Sequence, residues 1–90
     1  MNFPFQEEFD GKKKTRKFSS NVNSEELVWH RDAVDRTVKV VSAGGWFFQM
    51  DDELPVELKD GDTLFIPKAK WHRVIKKSTS VDLVVEIYEA

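Results

Sequence analysis

Turn signals recur so closely along this chain that only short strands fit between them. Asn21, Asn23 and Ser24, the pair Gly44-Gly45, Asp51-Asp52-Glu53, Asp60-Gly61, Pro67 and the polar run from Lys77 to Ser80 each interrupt an apolar pattern. Between these breaks the side chains alternate with period two, the repeat of a strand that buries one face. From Arg36 to Ser42, Val38 and Val40 oppose Thr37, Lys39 and Val41; from Val81 to Tyr88, Val81, Leu83, Val85 and Ile87 oppose Asp82 and Glu86. Glu26 to Asp32, Trp46 to Met50, Pro55 to Leu58, Thr63 to Ile66 and Trp71 to Lys76 read as further strands, with a weak one from about Thr15 to Val22. No segment supports a long helix. The expected fold class is therefore all-β, a small antiparallel β-barrel or jelly roll with loops clustered at its ends; an open two-layer sheet is the alternative.

Ninety residues make one small domain whose core offsets chain entropy by a narrow margin, so a homodimer is the default expectation. The chain contains no cysteine, which removes disulfides, thiolate metal sites and sulfur redox chemistry. Its apolar runs are too short to span a bilayer and the N-terminus lacks the basic-then-apolar order of a signal peptide, so a cytoplasmic protein without a membrane partner is expected. Residues 1–14 read as a loosely ordered lead-in to a single domain over 15–90, with Phe3 and Phe5 able to pin the terminus. Glu7, Glu8 and Asp10 precede Lys12, Lys13, Lys14, Arg16 and Lys17. With a formal net charge of -2 and no basic excess elsewhere, this run reads as a solvated leader, and nucleic acid is not the expected partner.

The stretch Gly61-Asp-Thr-Leu-Phe-Ile-Pro67-Lys-Ala-Lys-Trp-His72 is more specific. It launches a strand from a Gly-Asp turn, stops it at a proline, turns, and returns a histidine on the next strand, a device for aiming one imidazole inward. Gly61, five residues, Pro67, and His72 five positions later resembles the second sequence motif of the cupin family, with Ala69 where that motif has its second glycine and Lys76 where it has Asn. Upstream, Trp29-His30-Arg31-Asp32 resembles a degenerate first cupin motif, with Asp32 in the second-histidine slot, Thr37 in the glutamate slot and Asp35 two residues before it. The resemblance runs from about Glu25 to Tyr88 and implies a cupin-like barrel. The run of Trp-His-Arg-Asp, Asp35-Arg36, Gly-Trp-x-Phe-Gln, Gly-Asp and Ile-Pro-Lys is similar to short cupin proteins encoded by bacteriophages of marine hosts.

Cupins commonly hold Fe, Mn, Ni or Zn with three histidines and a glutamate. The resemblance implies a divalent metal site built from His30, His72 and one or both of Asp32 and Asp35, since two imidazoles and a carboxylate form a facial triad with positions left for a small molecule. Gln49 joins His30 and His72 as a pocket residue if it points inward; on the other strand face it is a surface amide. Trp29 and Trp71 precede the histidines and so point away from them, toward either a partner chain or a second core layer. Two functions compete: a barrel that binds a small molecule with or without a metal, and a metal-free structural or interaction module with no catalysis, whose aspartates pair with Arg31, Arg36 or Arg73.

Overall fold

The structure, a computed structural model, describes residues 3–90. Eight strands are formed: β1 (Gln6–Asp10), β2 (Lys13–Phe18), β3 (Arg36–Ser42), β4 (Trp46–Met50), β5 (Val56–Glu57), β6 (Thr63–Ile66), β7 (His72–Lys76) and β8 (Leu83–Glu89). They pair antiparallel into a five-stranded sheet in the order β1-β2-β8-β3-β6 and a three-stranded sheet in the order β5-β4-β7. The expected all-β antiparallel jelly roll is what forms. Chain connections pass between the sheets at β3–β4, β5–β6, β6–β7 and β7–β8, and side chains from both sheets fill the space between them.

That filling follows from the alternation. Val38 and Val40 of β3, Trp46 and Phe48 of β4, and Leu83, Val85 and Ile87 of β8 are all buried in one cluster. Each such side chain contributes on the order of 1.5–3 kcal/mol by leaving water. Trp46, wholly buried, donates its indole N–H to the Val81 carbonyl at 2.6 Å, so its one polar atom is satisfied. A register shift between Val40 and Ser42 lets β3 leave its sheet, and the chain reverses through Gly45 at φ +88°. A β-carbon there would lie 2.8 Å from Ser80 Cα, so only glycine fits.

Two segments depart from the period-two reading. Residues 6–18, most of which were expected to lie in a lead-in, form a hairpin: β2 pairs with β8 from Lys13↔Tyr88 to Phe18↔Leu83, and β1 pairs with β2. Met1 and Asn2, also in the expected lead-in, lie outside the described residues. The basic run is consumed by this pairing. Lys13 meets Glu86 at 2.9 Å, Lys14 meets Glu89 at 3.0 Å, Lys17 meets Asp82 at 3.5 Å, and Arg16 meets Glu7. The packing expected of Phe3 and Phe5 is present, with Phe5 5.3 Å from Phe18 and Phe18 5.8 Å from Trp46 between ring centres.

The second departure is 26–32, which is not a strand. Ser24–Glu26 is a 3₁₀ turn whose N-cap, Asn23, accepts the Glu25 N–H at 3.0 Å, and Leu27 then packs against the core while Val28 is exposed. A capping side chain competed with the ladder and won. Only one bridge remains, between His30 and His72, with N–H to carbonyl distances of 3.0 and 2.9 Å.

Candidate metal centre and ligand pocket

Pro67, which has no N–H to offer a ladder, ends β6. The turn that follows places Ala69 at φ 64°, a conformation that favours glycine, and this is the position where the resembled motif has one. Its backbone is nevertheless held: Ala69 N–H donates to the Asp32 carbonyl at 2.7 Å, and Lys68 N–H donates to Asp35 Oδ1 at 2.8 Å. The Gly61–His72 device is thereby stitched to the 30–35 segment, and β7 starts with His72 buried, 4 % exposed, beside the exposed His30.

The two imidazole rings lie 4.2 Å apart, edge to face. His30, Asp32 and His72 each offer one ligating atom, and these atoms lie within 4.8 Å of one another. His72 Nδ1 is 2.8 Å from the Lys70 carbonyl and His30 Nδ1 is 3.3 Å from the Val28 carbonyl. A carbonyl only accepts, so each Nδ1 carries a proton, and in a neutral ring Nε2 is then the atom with a lone pair. Asp32 Oδ2 sits 3.4 Å from His72 Nε2. Burial, the largest cause, holds the His72 pKa below its ordinary value, reinforced by the nearby His30 and Arg36 and opposed by the Lys70 carbonyl and Asp32. His72 is thus neutral near pH 7, and the contact with Asp32 brings two acceptors face to face rather than forming an ion pair. Accordingly Asp32 Oδ2 is buried without a hydrogen-bond partner.

An orphaned carboxylate oxygen beside two imidazoles with fixed tautomers is a donor set waiting for a cation, and it fits a divalent metal. Asp32 Oδ1 is already engaged by Arg36 Nη1 at 3.0 Å, which orients the carboxylate and leaves Oδ2 free. Arg36 is in turn held by Glu89, at 2.9 Å from Nε and 2.7 Å from Nη2. The arginine lies on the inward face of β3, alternating with Val38 and Val40, so it forms part of the cavity floor.

The cavity has two parts. A small inner space of about 60 Å³ between the sheets is bordered by His72, Phe48, Arg36 and Arg16, and an outer space of about 470 Å³ is bordered by His30, Asp32, Leu27, Phe5, Phe18 and Arg16. His30 and Arg16 border both. The outer volume is in the range of ligand pockets.

Two expected site residues do not join. Asp35 is absent from the cluster because it accepts the Lys68 N–H, serving the turn instead. Gln49 does not line the pocket: Trp46 and Phe48 take the inward face of β4, and Gln49 bridges Arg73, 3.0 Å to its Oε1, and the Glu53 carbonyl, 3.0 Å from its Nε2, on the outer face. Trp29 and Trp71 also lie outside, 37 % and 41 % exposed, stacked under Arg73 and Arg31 at 4.6 and 5.1 Å. Arg16 and Arg36 were overlooked as pocket residues. Arg36 carried a signal, since it shares its strand face with two core valines.

No family sequence model matches the chain, and no curated protein matches it in sequence. Solved structures do. An RmlC-like cupin family protein with a double-stranded β-helix fold from Methanocaldococcus jannaschii superposes with a TM-score of 0.73 at 12 % identity, covering 99 % of this chain and 82 % of that one. The fold is that of the cupins. A cupin domain from Bordetella pertussis gives 0.64 at 20 % identity, covering 100 % of this chain and 98 % of its own. HppE in its Fe(II) form gives 0.66 at 14 % identity, over 87 % of this chain and 41 % of that one. Among the described residues, no helix is long and apolar enough to cross a membrane.

Proposed function

We propose that this chain is a small-molecule-binding cupin that holds a divalent metal, of the Fe, Mn, Ni or Zn class, through His30, Asp32 and His72. The observation that carries the proposal is the buried, partnerless Asp32 Oδ2 facing the His72 Nε2 lone pair at 3.4 Å. The solved Fe(II) form of a protein with the same fold is consistent with it. When bound, such an ion polarises an oxygen of its ligand as a Lewis acid. The chain's own residues do the rest. Lys70 and Val28 carbonyls accept from the Nδ1 atoms of the two rings, Arg36 orients the carboxylate, and Phe18, Phe48 and Val74 make an apolar lining beside His72.

Metal analysis of protein purified without chelator, alongside His72→Ala, tests the reading. The expected result is about one divalent ion per chain in the wild type, lost in the variant. No bound ion, together with no change in melting on adding zinc, manganese, nickel or ferrous iron, rejects it.

A second reading, a metal-free module that pairs with a second copy, draws support from the exposed tryptophans of the outer face. A strictly monomeric protein by light scattering at micromolar concentration rejects that reading.

A further inference from the structure

One guanidinium stands on the wall shared by the two parts of the cavity. Arg16 lies on the inward face of β2, opposite Val85, and its side chain is only 15 % exposed. Its Nε is taken by Glu7 and its plane lies over the Phe5 ring at 4.1 Å. Its acidic partner is thus met through Nε, and the residue borders both the inner and the outer space. Arg36, the other arginine of the cavity, is different: all three of its nitrogens are engaged, by Asp32 and Glu89. A guanidinium bordering both the inner and the outer space is a fork for a planar anion, because a carboxylate accepts two parallel N–H bonds from such a group.

The surroundings fix the rest of the ligand. Phe5, Phe18, Leu27 and Val74 make the lining of the outer space mainly apolar. Its acidic members are Asp32, whose charge Arg36 matches, and Glu26, which is exposed on the 3₁₀ turn and screened by water. We infer that the pocket takes a small organic carboxylate with a flat apolar body, its carboxylate gripped by the terminal nitrogens of Arg16 and its body lying between the phenylalanines and Val74. This rests on the barrel's being a ligand pocket and does not require the metal.

Calorimetric titration with benzoate and with its neutral isostere benzamide, at millimolar concentrations, tests the inference on the wild type, Arg16→Gln and Glu7→Gln. The wild type is expected to prefer benzoate by about tenfold or more, the scale of a charge-assisted pair. Arg16→Gln erases that preference, whereas Glu7→Gln, which breaks the same ion pair but frees the arginine, widens it. Equal binding of the two ligands by the wild type leaves the pocket standing and removes the Arg16 anchor, as does a preference that survives Arg16→Gln. Binding of neither ligand overturns the pocket and the anchor together. If Arg16→Gln does not fold, Glu7→Gln decides alone: a widened preference supports the anchor, and an unchanged or lost one overturns it.

Discussion

Replacing Asp32 by asparagine separates a metal ligand from a structural ion-pair partner, because the two roles predict different responses of stability to zinc. Asp32 Oδ1 lies 3.0 Å from Arg36 Nη1, and Oδ2 lies 3.4 Å from His72 Nε2 with no hydrogen bond. The amide keeps an acceptor for Arg36 and puts an N–H donor toward the His72 lone pair, so the metal-free variant is expected within about 1 kcal/mol of wild type. A site with micromolar affinity, at a hundredfold excess of zinc, adds about 2.7 kcal/mol to the wild type. For a domain of this size that raises Tm by roughly 10–20 °C. Asp32→Asn removes the only anion among the three ligands and is expected to lose most of that rise. Thermal unfolding by circular dichroism, with and without zinc, reads both quantities. If Asp32 serves Arg36 alone, zinc raises the Tm of wild type and variant equally, or of neither, and that result overturns the ligand role of Asp32.

Other expectations follow from single features. His72 is held below its ordinary pKa of 6.5 by burial, so the unfolded chain binds the extra proton first and the metal-free protein loses stability as pH falls below that value. Glu89, lowered from 4.5 by hydrogen bonds from Arg36 and Lys14, adds a second loss in more acid solution. Urea unfolding followed from pH 8 down to about pH 2.5, below the Glu89 range, should show both losses, and His72→Phe should show only the second. Gly45→Ala forces a β-carbon to 2.8 Å from Ser80 backbone at φ +88° and is expected to cost about 2 kcal/mol or more, read as a lower urea midpoint with unchanged slope. Ala69→Gly relieves φ 64° and is expected to be neutral to stabilising by roughly 0.5 kcal/mol, against the usual penalty of a new glycine.

Where burial was one-sided the sequence was informative. β3 and β6 form over the residues that alternation assigns, Gly45 and Gly61 take positive φ, and His72 faces the core. The hairpin β1–β2 was hidden because its first strand is the edge of its sheet: Gln6–Asp10 is exposed throughout, so no apolar face is written into it. Arg16 was hidden for the same reason, since a charged side chain in a charged run gives no sign that pairing with β8 turns it inward. The 26–32 segment misled in the opposite way, carrying a strand's alternation but an N-cap's Asn23. Even so His30 and Asp32 reach His72, because the one bridge at His30 and the Ala69 N–H to Asp32 carbonyl bond do what a full strand was expected to do.

Anomalous diffraction from a crystal grown with zinc asks whether His30, Asp32 and His72 hold one cation together. A single strong peak is expected about 2.0–2.2 Å from both histidine Nε2 atoms and Asp32 Oδ2. A peak at a surface carboxylate pair such as Asp51 and Asp52, with the space between His30 and His72 empty or holding only water, contradicts it.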